Sequence, residues 1–157
     1  MTLPTDPRPV ILHSGEGRSV EIGAKTRCTF KVVGEETADQ LSLFEYEMEP
    51  GARGASPHIH RGLTQIFYVA EGEVHLRVGD RKTVGKKGSL VLVPPGTVHA
   101  FSCSETLRSV LLILFCPADR REGYFEGIAE LTKEGRRATR EELVDLMRLY
   151  DQEPVET

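Results

Sequence analysis

Three histidines stand where they could do metal chemistry. His58-Ile59-His60 is an H-x-H pair, and on a strand the i and i+2 side chains leave the same face. Two imidazoles so placed can be offered to one cation from a stiff backbone. Gln65 follows just ahead of the apolar run 66–69, and His99 arrives from a separate segment, Pro94-Pro95-Gly96-Thr97-Val98-His99. Imidazole nitrogens suit Fe, Mn, Ni, Co, Cu or Zn and do not choose among them. Taken alone, an H-x-H pair is also what two exposed histidines on an edge strand look like. His75 alternates with Val74 and Leu76 and faces the other way, so it and His13 are set aside as ligands.

The elements that must hold these residues are short strands. Apolar stretches at 20–22, 29–33, 41–48, 66–69, 74–78, 90–93 and 109–115 are separated by Gly, Pro and Asp, and Gly79-Asp80 suits a tight hairpin. Regular strands without intervening helices predict a sandwich or a closed barrel. By strand parity Phe67 and Val69 share the side of Gln65, while Phe101 and Cys103 share that of His99. Phe67, Phe101 and Cys103 would then line a pocket for a small organic ligand. Barrel filling is the plainer reading of Val69, and a buried small hydrophobe that of Cys103.

After Pro117 the periodicity changes from two to nearly four. Asp119-Arg120-Arg121-Glu122 and Thr139-Arg140-Glu141-Glu142 both have capping-box spacing. Tyr124, Phe125, Ile128 and Leu131 follow the first, and Leu143, Leu146, Met147 and Tyr150 the second. Two amphipathic helices joined through Gly135 are predicted, with Tyr124, Phe125 and Ile128 packing on the barrel. Residues 151–157 are expected to fray. The division is an N-terminal arm 1–17, a barrel 18–117 and a helical extension 118–157.

Composition excludes several functions. The chain has 157 residues, 39% hydrophobic and 28% charged, with a formal charge of −4 and no basic stripe, which argues against nucleic acid or an anionic membrane as partner. The longest apolar run, 110–116, is far short of a membrane span of about 20 residues. Three cysteines without C-x-x-C spacing make a disulfide scaffold or zinc knuckle a poor fit. The N-terminus shows no secretory signal and no DNA-binding module precedes the strands, so a cytoplasmic protein without a fused regulator is expected. No P-loop, dinucleotide fingerprint, G-x-S-x-G or H-E-x-x-H is present.

The frame around the histidines is more specific than the histidines themselves. Pro50-Gly51, Pro57-His58-Ile59-His60, Gln65 and Gly72 resemble the first motif of the cupin superfamily, G-x5-H-x-H-x3–4-E-x6-G. Gly88, Pro94-Pro95-Gly96 and His99 resemble its second, G-x5-P-x-G-x2-H-x3-N. The flanks Gly34-Glu35-Glu36-Thr37 and Phe115-Cys116-Pro117 resemble those of small quercetin-dioxygenase-like bacterial cupins. The resemblance covers residues 18–131. It departs in three places: six residues separate Gly51 from His58, Gln65 stands for the glutamate, and Cys103 stands for the asparagine.

The resemblance implies an all-β fold, a double-stranded β-helix or jelly roll with two short C-terminal α-helices. It implies one divalent metal ion held by His58, His60 and His99, with Gln65 as a neutral fourth ligand or a hydrogen-bonding neighbour. The function expected is a metal-dependent enzyme of oxygenase type acting on a small organic, anionic or aromatic substrate. An isomerase, cyclase or lyase that does not use dioxygen, or a non-catalytic small-molecule-binding cupin, are the alternatives. A homodimer is expected by analogy of fold alone.

Overall fold

A computed structural model describes residues 6–156, so residues 1–5 of the expected arm, and Thr157, lie outside it. The described strands are β1 (Arg18–Ile22), β2 (Thr26–Val32), β3 (Ser42–Met48), β4 (His58–Ile59), β5 (Thr64–Glu71), β6 (Glu73–Val78), β7 (Arg81–Lys86), β8 (Leu90–Val93), β9 (His99–Cys103), β10 (Ser109–Cys116) and β11 (Glu153–Pro154). Helices α1 (Arg121–Leu131) and α2 (Arg140–Leu149) lie between β10 and β11. A six-stranded sheet runs β1-β2-β3-β10-β5-β8 and a five-stranded sheet β11-β4-β9-β6-β7, with every pair antiparallel. Two antiparallel sheets are what the strand pattern predicts, and they form the jelly roll that the resemblance implies.

Alternation sets which side chains fill it. In β3 Ser42, Phe44, Tyr46 and Met48 are buried and the residues between them are half-exposed; in β9 His99, Phe101 and Cys103 are buried likewise. A one-residue slip would turn the whole set outward, so burial of this face fixes the register. The core joins Phe30, Phe44, Tyr46, Met48, Phe67, Val69, Leu111, Ile113 and Phe115. The hairpin at Gly79-Asp80 forms as expected, with Val78 opposite Arg81. Its second strand, β7, carries Arg81, Lys82, Thr83 and Val84, all exposed, and lacks the apolar alternation that marks the others.

The extension behaves differently at its two capping signals. Thr139 caps α2 as its spacing predicts: its side chain accepts from the Glu142 N–H at 3.1 Å, and the Glu142 carboxylate accepts from the Thr139 N–H at 2.8 Å. Asp119 does not cap α1. The chain enters that helix through two left-handed residues, Asp119 (φ 52°) and Arg120 (φ 48°), and no side chain caps it. This entry turns Arg121 inward, where it is 2% exposed.

α1 lays its apolar face on the inward rings of the barrel. The Phe125 ring lies 4.7 Å from Phe44, 5.9 Å from Tyr46 and 6.3 Å from Phe115. α2 can approach α1 closely because Gly123 and Gly127 present no side chain: a Cβ at Gly123 would meet the Tyr150 ring, and one at Gly127 the Leu146 side chain. The expectation that residues 151–157 fray is overturned. Glu153 pairs with Ile59 and Pro154 with His58, and Gln152 is 2% exposed. The close seating of α2 delivers the chain end to the free edge of β4, where backbone pairing holds it.

Phe125→Ala should cost about 3–5 kcal/mol, because it empties a space walled by three aromatic rings. Chemical denaturation of the two proteins measures it, and a loss below about 1 kcal/mol would show that α1 is not part of the core.

Candidate metal centre

The site forms where β4 meets β9. His58 lies directly opposite His99 across that pair, and His60 follows β4 by one residue. Gln65, near the start of β5 in the other sheet, closes the fourth side. All four are buried, with exposures of 2%, 3%, 4% and 1% for His58, His60, Gln65 and His99. The imidazole centroids are 4.1 Å apart for His58 and His99, 4.9 Å for His58 and His60, and 5.1 Å for His60 and His99. One ring nitrogen from each histidine lies within 4.8 Å of those of the other two. The structure thus brings together the three histidines and the glutamine that the sequence singled out.

Each imidazole is oriented by a backbone carbonyl. Nδ1 of His58 lies 2.7 Å from the Ser56 oxygen, Nδ1 of His60 2.7 Å from the Asp151 oxygen, and Nδ1 of His99 2.9 Å from the Thr97 oxygen. A carbonyl oxygen only accepts, so each Nδ1 carries a proton and a neutral ring keeps a bare lone pair on Nε2. Neutrality is what the surroundings favour. Burial pushes the His58 pKa well down, helped by the neighbouring His99 and His60. Burial, then the charge of Arg121, lowers His60 to about 4. His99 is lowered by burial first, with Arg121 adding to it.

Gln65 makes the centre a problem in donors. Its Oε1 stands 3.0 Å from His60 Nε2 and 2.8 Å from His99 Nε2. Those are hydrogen-bond distances, yet with every Nδ1 protonated neither nitrogen brings a proton to the oxygen. Lone pairs facing lone pairs in a buried site are unfavourable unless a cation lies among them or the carboxamide turns its N–H groups to the rings, and that turn would still leave His58 Nε2 without a donor. Three imidazole nitrogens and an amide oxygen form an N/O donor set for a first-row divalent ion, and the residues present fit one.

The surroundings are aromatic. Phe67 lies 6.1 Å from His99 and 5.3 Å from Phe101, and Phe115 lies 6.0 Å from His60. Cys103 is buried on the same face of β9, but four residues beyond His99, roughly 13 Å along the strand. Its thiol donates to the Leu107 carbonyl at 3.2 Å and lies 3.0 Å from Ser109 Oγ. Phe67 therefore stands next to His99 with Phe101 packed behind it, and Cys103 lies further along the barrel.

Sequence reasoning missed Arg121, Asp151 and Gln152. The guanidinium of Arg121 donates from Nη1 to the Tyr150 carbonyl at 2.6 Å and from Nη2 to Gln152 Oε1 at 2.8 Å. It also lies over the Tyr124 ring at 4.4 Å and the Phe115 ring at 4.7 Å. Burial lowers its pKa to about 10, so it remains a cation at neutral pH. An arginine inside a capping-box tetrapeptide reads as a solvated helix start, and no sequence signal marks it as buried.

A family model described as "Cupin domain" matches residues 44–115. Among solved structures, KdgF from a Halomonas species superposes with a TM-score of 0.62 at 21% identity, covering 70% of this chain and 94% of that one. An RmlC-like cupin from Shewanella frigidimarina gives 0.60 at 26% identity over 71% of this chain and 93% of that one. The polyketide cyclase RemF from Streptomyces resistomycificus gives 0.59 at 21% over 72% and 82%. Among curated proteins, the oxidoreductase OpS7 of Beauveria bassiana is 28% identical over 99 residues, which is 59% of this chain and 32% of that protein. The match thus spans about a third of that relative's length.

The depressed imidazoles give the metal-free protein a defined response to acid. The unfolded chain takes up the His60 proton first, near pH 6.5, and the folded one only near 4. Stability is full above pH 6.5 and lost as pH falls toward 4, by on the order of 3 kcal/mol for this residue alone. Urea denaturation of chelator-treated protein between pH 7 and 4.5 should show the loss, and His60→Leu should flatten the slope. An unchanged slope would assign the loss to other groups.

Proposed function

This chain is a small cupin, and we propose that it is a metal-dependent enzyme that binds a small organic anion at His58, His60, His99 and Gln65. Four inward acceptor atoms without a proton among them carry the proposal. A divalent ion held there supplies Lewis acidity toward an oxygen atom of a bound substrate or of dioxygen. The chain's own residues do the rest. The carbonyls of Ser56, Thr97 and Asp151 fix the lone pairs inward, and Phe67, Phe101 and Phe115 keep water from the centre.

Charge supports the anionic substrate. The three imidazoles and the amide are neutral, and the nearest buried ionic group is the Arg121 cation, whose field reaches His58, His60 and His99. A divalent ion in that company keeps a charge near +2, so a carboxylate, enolate or phenolate oxygen completes the site. Oxygenase chemistry is the first reaction to test, supported by the oxidoreductase relative. Gln65 favours a second reading. A carboxamide cannot take a proton from a substrate hydroxyl and return it, so a reaction that needs only an electrophile, as in an isomerase, cyclase or lyase, suits this site as well.

Pairing of two copies belongs to the proposal too. On the outer face of the six-stranded sheet Tyr68, Leu90 and Leu92 are 40%, 62% and 54% exposed, with Tyr68 paired to Leu90 and Ile66 to Leu92. Contiguous apolar side chains on a sheet face mark an interaction surface.

Elemental analysis should find about one divalent ion per wild-type chain, and His58→Ala or His99→Ala should remove it. Equal content in wild type and both variants after chelation and reloading would sink the metal site. Gln65→Glu should tighten metal binding at least tenfold by adding a negative ligand, and wild-type cleavage of a flavonol should be weak or absent. Robust flavonol cleavage that survives Gln65→Ala would show that this residue does not decide the chemistry. Dioxygen uptake with a candidate substrate separates oxygenase from electrophilic catalysis.

A further inference from the structure

Given a metal bound as proposed above, we infer that the chain end following α2 is a built part of the metal site, and that buried Arg121 is the positioning residue that holds it against His60. The partner of His60 Nδ1 is the carbonyl of Asp151, 91 residues further along the chain. His58 and His99, by contrast, each use a carbonyl only two residues away. Two of the three imidazoles are therefore oriented by the residues just ahead of their own strands, and the third depends on the tail.

The tail contacts every residue of the ligand segment 57–62. The Val155 N–H donates to the Pro57 carbonyl at 3.0 Å, and Pro154 and Glu153 pair with His58 and Ile59. The Asp151 carbonyl takes His60, and its carboxylate accepts from the Arg61 N–H at 2.9 Å and the Gly62 N–H at 2.7 Å. Glu153 accepts a two-pronged bond from the Arg61 guanidinium, both contacts at 2.8 Å. Asp151 itself has φ 49°, a left-handed conformation that local sequence does not favour and that neighbouring contacts must hold.

Arg121 supplies those contacts on both sides. Nη1 holds the carbonyl of Tyr150 and Nη2 the amide oxygen of Gln152, so the guanidinium spans Asp151. Gln152 in turn donates from Nε2 to the Tyr124 hydroxyl at 2.9 Å and from its N–H to the Met147 carbonyl at 3.1 Å. If the tail moves, His60 loses its acceptor at Nδ1. The ring can then shift its proton to Nε2 and present an N–H where a ligand lone pair is needed.

The test uses zinc as the probe on the full chain. Arg121→Met replaces the cation by an apolar side chain of similar length, which suits the aromatic surroundings and removes a desolvation cost, so the fold should survive. Arg121→Lys keeps the charge and one donor direction. Asp151→Gly keeps the left-handed backbone accessible while removing the carboxylate grip on residues 61 and 62. Zinc affinity should fall about 10- to 100-fold in Arg121→Met and Asp151→Gly, with Arg121→Lys between them and wild type.

In ¹⁵N-histidine spectra of metal-free protein, wild-type His60 should show a single Nδ1–H tautomer protected from exchange. Arg121→Met should show mixed tautomers at His60, with His58 and His99 unchanged. Wild-type affinity and a wild-type His60 signal in Arg121→Met and Asp151→Gly would overturn the inference while leaving the metal site standing. A wild type that binds no zinc would overturn the metal site and this inference with it.

Discussion

Everything at the centre follows from three N–H···O=C bonds made by the buried imidazoles. A ring nitrogen that donates to a backbone carbonyl cannot also hold a bare pair, so these bonds decide which nitrogen faces inward and in what state. Burial does the complementary work, holding the rings neutral when solution would begin to protonate them. The site is therefore set up by backbone geometry and dielectric, with no carboxylate required. Pairing of β4 with β9 places His58 opposite His99, and the alternation of β5 brings Gln65 to the same centre from the other sheet.

The most costly feature of the fold is the buried guanidinium. Taking Arg121 out of water costs several kcal/mol, and its Nε has no partner. Two charge-assisted bonds and the faces of Tyr124 and Phe115 offset that cost. An apolar residue would fill the space more cheaply, but it could not donate to the Tyr150 carbonyl and the Gln152 amide oxygen at the end of α2. The cation is retained where its removal would loosen the chain beside His60. It also raises the positive potential felt by the three histidines.

The barrel was legible in the sequence because alternation is a local signal: each strand announces its own buried face. The three histidines of the candidate centre were legible for the same reason, since H-x-H on a strand and His99 after Pro94-Pro95-Gly96 are short patterns. β7 was not, because all its residues but Gly85 are exposed and no apolar period marks it. Asp119 misled because its spacing matches a capping box, while the real helix entry is governed by where Arg121 is buried. The tail was misread as frayed. Glu153 and Pro154 carry no strand pattern, and their pairing with β4 depends on the approach of α2 to α1 over Gly123 and Gly127. Contacts between residues about 90 positions apart have no local signature.

Gln65 decides how the centre balances charge. A glutamate there would bring a negative oxygen to a bound divalent ion, and in its absence that oxygen would accept protons from His60 and His99. A glutamine does neither, and its two ends serve two situations. With a cation present, Oε1 is the end that should face His60 and His99, as it does here at 3.0 and 2.8 Å. Without one, a half-turn of the carboxamide would direct its two N–H groups to the same two nitrogens. The empty site can thus satisfy two of its three inward nitrogens without any charge, leaving His58 Nε2 without a donor from Gln65. The loaded site lacks a negative ligand and has Arg121 nearby, which raises the drive to take up an anion. The charge effect would make the proposed ion and its anionic partner mutually reinforcing, each binding better in the presence of the other.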